Sequence, residues 1–408
     1  MNRRMLLATT LAAPGMVRAQ GTGPIKIGLM APLTGVVASG GREIVEGFQM
    51  YFDSIGNRVE GRAIEVTVED DASNPDTALQ KARRLVEQGQ VHFLFGNLLA
   101  NTGLAVANYV RGTGTPYFIP VIAADDLTQR ARIPNVIRVA GYSASQFSRP
   151  LADWAYKQGY RRAALISQDY TFGHEQCGGF AQKFREMGGQ VVQQYWHPLN
   201  TSDFSPYMGQ LANAGADVVF AMETGSDATR LIQAYSQFGL KGRIPLLGSM
   251  NATDQSVIRT MGAEAEGIVS AAHFAEGSPN PATQAFVADY ERRFQKLPSL
   301  YGFSHFSGAM WVVEALKTIG AAAEDRDRLL AAVRATTLTN SPLGAPVSLD
   351  RFGNPIYDAF IRRVGRRPDG KLWNAPIATY EKVDQFWGFD PETYMRQPAY
   401  SRAFQGPR

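Results

Sequence analysis

Short β-branched runs alternate with amphipathic stretches along most of the chain. IKIGLM at 25–30 has the nearly unbroken apolar character of a buried strand. The stretch near 42–56 puts Ile44, Phe48, Tyr51, Phe52 and Ile55 on one helical face. AIEVTVED, a helix opened by Asn74-Pro75, VHFLFG, another helix and YFIPV complete a first series. The asparagine supplies a side-chain cap and the proline suits a first helical turn. A second series follows NVIRVAGYSASQ: a helix near 145–158, ALISQD, a helix after DYT, VVQQYW, a helix near 204–214, DVVFAME, a helix near 227–238 and IPLLG. After GIVSAAHF the pattern predicts helices around 281–296, 304–320 and 325–335, then VSLD, a turn at Phe352-Gly353-Asn354-Pro355 and YDAFIRRV. Residues 381–408, rich in aromatics and prolines, predict a strap over the surface. Strand–helix alternation of this kind predicts an α/β protein with largely parallel sheets in two similar lobes. A cleft between such lobes lies outside the carboxyl ends of their strands, where ligands of open α/β sheets bind.

The amino terminus breaks this pattern. MNRRMLLATTLAAPGMVRA, residues 1–19, has Arg3 and Arg4, a mildly apolar stretch and Val17-Arg18-Ala19 before Gln20. It reads as a cleavable export signal, with the Sec route ahead of a twin-arginine one, and predicts a periplasmic location. No cysteine stands there to accept a lipid. Without Arg3, Arg4 and Arg18 the formal charge of +4 becomes +4 − 3 = +1. A near-neutral surface gives no electrostatic reason to expect nucleic acid or a membrane as partner, and no later apolar run approaches the roughly 20 residues of a spanning helix. A single cysteine forms no disulfide within the chain.

That cysteine stands in DYTFGHEQCGGF, where His174, Glu175 and Cys177 suggest a metal or catalytic site. Spacing argues otherwise. Cys177, Phe180, Ala181, Phe184 and Met187 form one apolar stripe, which turns the thiol toward the core and Glu175 away from it. The histidines His92, His197, His273 and His305 are scattered without ligand spacing. No serine elbow, zinc motif or phosphate loop follows a strand, and the glycines of GGREIVEG at 40–47 have the wrong spacing for a dinucleotide. The expectation is a binding protein without catalytic residues, cofactor or metal.

IKIGLMAPLTG, VEDDASNPDTALQKARRLVEQG, GNLLANTGLAVA, IPVIAADDLT, RVAGYSASQ, DYTFGHEQ and MGAEAEGIV, in this order, resemble the periplasmic solute-binding proteins of branched-chain amino acid type ABC transporters, the Leu/Ile/Val-binding family. The resemblance covers about 25–380. HPLNTSDFSPY at 197–207, with GGQVVQQYW before it, looks like the branch associated with aromatic carboxylates. The resemblance implies a type I periplasmic-binding fold, with three hinge crossings near 141, 265 and 346. One lobe would then comprise 20–140 and 266–345, the other 141–265 and 346–380, and the closed, ligand-loaded form would dock on an inner-membrane permease as a monomer.

In the family's amino acid binders, hydroxyl residues hold the carboxylate and an acidic residue holds the ammonium. This sequence is similar in frame but departs there: Ala100 and Ala123 stand at the hydroxyl positions, Met250 at the acidic one and Gly40 at that of a cleft tyrosine. Ser73 and Leu99 replace the cysteines of a disulfide seen in some members. A buried ammonium without an anion is costly, so the departures favour a small aromatic or amphipathic carboxylate. Backbone amides of Asn101 and Thr102 at a helix start, with Arg42 nearby, would hold its carboxylate. Tyr170 and Phe172 would stack on it, Met250 would add a soft surface, and Ile122 and Thr224 complete the candidate set beside Ala123 and Glu223.

Glu223, at the end of DVVFAME, is the alternative anion for an amino acid's ammonium; it reads equally as a solvated carboxylate or a partner of Arg230. A branched-chain or other apolar amino acid is thus the second ligand reading, and a sensor for a signalling receptor the reading from another class. The cluster Arg362, Arg363, Arg366, Arg367 and Lys371 reads as a solvated hairpin face, with permease or lipid docking as the alternative.

Overall fold

The computed structural model describes residues 23–406; the expected export signal, residues 1–19, lies outside the described residues. The first series forms β1 (Ile25–Ala31), α1 (Ala38–Ser54), β2 (Arg58–Val59), β3 (Arg62–Asp70), α2 (Pro75–Arg83), β4 (Phe93–Gly96), α3 (Ala100–Thr113), β5 (Tyr117–Phe118) and β6 (Val136–Ile137). The second forms α4 (Ala144–Lys157), β7 (Arg162–Gln168), α5 (Thr171–Glu186), β8 (Gln190–His197), α6 (Ser205–Ala212), β9 (Val218–Met222), α7 (Gly225–Gln237), β10 (Leu246–Gly248), α8 (Gln255–Ile258) and β11 (Val269–Ala272). The chain then adds α9 (Pro281–Phe294), α10 (Leu300–Thr318) and α11 (Arg326–Ala335), returns as β12 (Tyr357–Arg366) and β13 (Leu372–Val383), and ends with α12 (Pro391–Met395).

One sheet has the order β2-β3-β1-β4-β5-β6 and the other β13-β12-β11-β10-β9-β7-β8. Pairing is parallel from β3 to β6 and from β11 to β8, and antiparallel for β2 with β3 and for the β11–β12–β13 edge. Each sheet is flanked by helices, as the alternating pattern predicted. Asn74 accepts from Thr77 N at 2.9 Å with Pro75 in the first turn of α2. Cys177 is fully buried on α5 beside Phe180 and Phe184, and burial pushes its thiol pKa up.

Three boundaries differ from expectation. Helix α1 starts at Ala38 rather than near 42, so Gly40 and Gly41 lie inside it. The reason is close approach, not helix breaking: a Cβ on Gly41 would collide with the Pro32 carbonyl. The crossing expected near 265 comes later. β11 hydrogen-bonds to β10 and β12 in the seven-stranded sheet, so the chain leaves that lobe after Ala272. β13 likewise carries that sheet to Val383, and the strap starts beyond it.

The strap packs along α5. Arg130 Nε donates to Gln397 O at 2.8 Å, Arg402 pairs with Asp169 at 2.6 Å, and Arg149 lies over the rings of Phe389 and Tyr394. A Cβ on Gly178 would strike the Tyr400 side chain, which explains the glycine beneath the strap.

Candidate functional site

The lobes touch along the carboxyl ends of their strands. Glu43 on α1 pairs with Arg259, just past α8, at 2.6 Å; Leu300 N at the start of α10 donates to Asp254 Oδ2 at 2.7 Å. On the other side Ser226 N of α7 donates to Val36 O at 3.3 Å, and a Cβ on Gly225 would collide with that carbonyl.

Between these contacts three residues converge from distant parts of the chain: Tyr142 on the first crossing, Asn251 after β10, and Tyr301 on α10. Asn251 Nδ2 donates to Tyr301 Oη at 3.0 Å and, more weakly, to Tyr142 Oη at 3.4 Å. All three side chains are buried, and Asn251 Oδ1 has no hydrogen-bond partner among the described residues. The Tyr301 ring occupies the space beside Gly40, where a Cβ would come within 2.7 Å of it. A side chain at position 40, where the family's amino acid binders carry a cleft tyrosine, would therefore collide with a ring that arrives from α10.

Met250 is buried next to Asn251, and its carbonyl accepts from Arg362 Nη2 at 2.8 Å. Tyr170 caps the start of α5 and Phe172 lies in its first turn, with ring centroids 6.1 Å apart and both side chains nearly buried. Ala100 opens α3 with no side-chain cap from Leu99. One of the two amides expected there is not free, because Thr102 N donates to Asn101 Oδ1 at 3.0 Å while Thr102 Oγ1 turns back to Leu99 O. Ala123 is buried beside this end, and Ile122 packs toward α3, where it fills the space beside Gly103. Arg42 is exposed on α1. A fully buried Glu43 at the next position turns toward Arg259, which leaves Arg42 on the opposite, solvent side.

Glu223 is neither at a solvated rim nor paired with Arg230. It is 0% exposed, and His197 Nε2 meets its Oε1 at 2.9 Å while His197 Nδ1 lies 2.9 Å from Pro198 O. Arg230 pairs with Asp227 instead. Burial pushes the Glu223 pKa up to about 7 against the pull of His197. Burial disfavours charge on His197, yet the hydrogen bond and charge of Glu223 outweigh it and raise the imidazole pKa. Glu223 Oε2 has no partner among the described residues. Thr224 is spent locally, its Oγ1 donating to Gln168 Oε1 at 2.8 Å.

The fold brings His197, Glu223 and Asp227 together, with possible ligand atoms within 4.8 Å of one another, although their sequence spacing carried no metal signal. Asp227 already accepts from Arg230, Gln168 Nε2 and Asn200 N, so the trio is a cross-linked charge network.

The basic cluster also divides. Arg362 is buried and donates to Phe274 O and Met250 O, Arg366 pairs with Glu266, and Arg367 and Lys371 reach across to Glu291 on α9 of the other lobe. Arg363, Arg366 and Lys371 are exposed, as a solvated face requires, while Arg362 is buried and Arg367 half-buried.

Two α/β lobes joined by three crossings, meeting over aromatic and small side chains at their strand ends, have the architecture of a ligand-binding protein. The chain belongs to the periplasmic binding protein family, whose profile matches residues 24–371. It is 27% identical over 365 residues to Leu/Ile/Val-binding protein homolog 6 of Brucella melitensis biotype 1, covering 88% of this chain and 92% of that one. An ABC transporter substrate-binding protein from Sphaerobacter thermophilus superposes with a TM-score of 0.82 at 32% identity, covering 89% of this chain and 99% of its own. A solute-binding protein of an ABC transporter from Rhodopseudomonas palustris BisB5, solved in complex with 3,4-dihydroxybenzoic acid, gives 0.84 at 28% identity over 89% and 98%. Among the described residues no helix is long and apolar enough to cross a membrane.

Sequence reasoning named Met250, Tyr170 and the start of α3 as candidates, and did not name Tyr142, Asn251 and Tyr301, which the fold brings together where the lobes meet. Asn251 was within reach, since it follows Met250 at a strand end. Tyr301 had no local signal, because its role depends on α10 packing against α1.

Proposed function

We propose that this chain captures a small aromatic carboxylate between its lobes and delivers it to an inner-membrane ABC permease. The observation that carries the reading is the wall around Met250. Where an amino acid binder needs an anion, this chain has the buried, uncharged Met250, followed by Asn251, whose amide donates to the phenols of Tyr142 and Tyr301. An ammonium buried there without a counter-charge would cost several kcal/mol, on the order of 3 or more. A flat aromatic ring loses nothing and gains contact with Tyr170, Phe172 and Tyr301. The uncapped start of α3, with its positive dipole end and the small residues Ala100 and Ala123, suits the carboxylate. The dihydroxybenzoate of the R. palustris neighbour is a ligand of this kind.

The ligand works by contacting both lobes only when they are closed, which shifts the open–closed equilibrium without covalent chemistry. The protein acts as a monomer in the periplasm, exported through residues 1–19, and the closed pair of lobes is what the permease reads. A branched-chain amino acid is the second reading, favoured by one observation: the buried, unpartnered Glu223 Oε2.

A thermal-shift panel from Gln20 onward tests the choice, because a ligand that binds only the folded state raises the melting temperature. Benzoate and hydroxybenzoates are expected to raise it and leucine to leave it unchanged. A shift with leucine alone would transfer the role to Glu223.

A further inference from the structure

Asn251 is poised to read the ligand's far end, a feature that rests on the aromatic-carboxylate reading and narrows it. Its amide sits where the lobes meet, fixed on Tyr301 from one lobe and Tyr142 from the crossing. Its Oδ1 is buried without a partner, at the opposite lobe from the start of α3. A native structure rarely leaves such an atom unpaired, because the cost of desolvation is not returned. Tyr142 and Tyr301 accept from the amide, so their own O–H protons remain free to donate into the same space. One acceptor and two donors therefore converge where the lobes meet.

We infer that Asn251 is a specificity-determining residue that selects aromatic carboxylates bearing a ring hydroxyl away from the carboxylate. A phenol both donates and accepts. It gives its proton to Asn251 Oδ1 and takes one from a tyrosine. The match survives a flip of the amide, since with Oδ1 turned to the tyrosines the free Nδ2 donates to the same phenol oxygen. An unsubstituted ring leaves the amide buried and unpaired. A methyl group at that position adds a clash with the amide and no hydrogen bond.

Titration calorimetry of the wild-type chain with benzoate, 3-hydroxybenzoate, 4-hydroxybenzoate and 4-methylbenzoate is the test, repeated on Asn251→Leu. The better hydroxybenzoate is expected to bind about tenfold more tightly than benzoate, the scale of one otherwise missing buried hydrogen bond. In Asn251→Leu that ratio is expected to fall toward one, and Asn251→Ala serves if the leucine does not fold. Equal affinity for benzoate and both hydroxybenzoates in the wild type would overturn the inference and leave the aromatic-carboxylate reading standing. A ratio unchanged in the variant would also overturn it, by moving the discrimination to another residue. Binding of none of the four acids would remove the broader reading and the inference together.

Discussion

Arg138, at the first crossing, and Arg362, inside β12 beside β11, are as buried as any described side chain, while Asn251 and Glu223, just past the ends of β10 and β9, are equally buried. Their polar atoms fare differently. Arg138 donates to Ile122 O, Ala124 O, Thr128 Oγ1 and Asn354 Oδ1, and Arg362 to Ser270 Oγ, Phe274 O, Met250 O and Thr253 Oγ1. Burial draws the Arg138 pKa down to about 10, which still leaves it charged at neutral pH. Asn251 and Glu223 each keep one oxygen unpaired among the described residues. The two arginines use buried polarity to fix backbone segments to one another. Asn251 and Glu223 hold the oxygens that the proposed ligand readings would have a ligand complete.

The largest break in this comparison comes from the crossing. Arg138→Leu strands the carbonyls of Ile122 and Ala124 and unties Asn354, and should cost about 3 kcal/mol or more of folding stability. A denaturant melt measures it, and a loss within experimental error would show that the network is dispensable.

Glu223 should reveal its burial through pH. The folded group holds its proton up to about pH 7, whereas the free carboxyl releases it near 4.5, so the folded state binds the extra proton between these values and stability falls as pH rises through that window. The raised pKa of His197 works in the same direction, its contribution being present below its ordinary pKa near 6.5 and lost as pH rises through the folded value. Glu223→Gln should therefore gain on the wild type by about 2 kcal/mol between pH 5 and pH 8. Melting curves across that range with a constant difference would contradict the buried dyad.

A smaller effect is expected at the cleft wall. Gly40→Ala pushes a methyl against the Tyr301 ring and Leu98, so it should displace the tyrosine and weaken ligand binding by about three- to tenfold with little change in melting temperature. An unchanged dissociation constant would detach Tyr301 from the site. The least change is expected from Arg42→Ala: exposed on α1, it should leave ligand affinity within about twofold. A tenfold loss would restore it to the carboxylate end.

Legibility in the sequence follows the range of the contacts. Strand and helix periodicity, the Asn74 cap and the inward stripe that buries Cys177 are local, and each was readable from a few neighbours. The start of α1 was misread because Gly40 and Gly41 serve contacts with Tyr301 and Pro32, which come from other elements. The hairpin arginines looked like a surface run, although Arg362 points inward at a strand position beside β11 and Arg367 reaches Glu291. Glu223 read as a cleft anion, a solvated carboxylate or a partner of Arg230; its partner is His197 across the end of β7, a contact between strands that no local pattern carries. Met250 and Tyr170 became candidates through the family resemblance, and both stand at strand ends, where such folds place the cleft. Tyr301 gave no such signal, because the first turn of a helix far along the chain reaches this place only through tertiary packing.

The central claim is that the cleft takes an aromatic acid and refuses a zwitterion. Titration calorimetry of one preparation, near pH 7, with 4-hydroxybenzoate and with leucine tests it most directly. The account predicts a saturable, tight isotherm for 4-hydroxybenzoate and no heat of binding for leucine. Tight binding of leucine with none for 4-hydroxybenzoate would contradict it, and would mean that Glu223 Oε2 faces an ammonium.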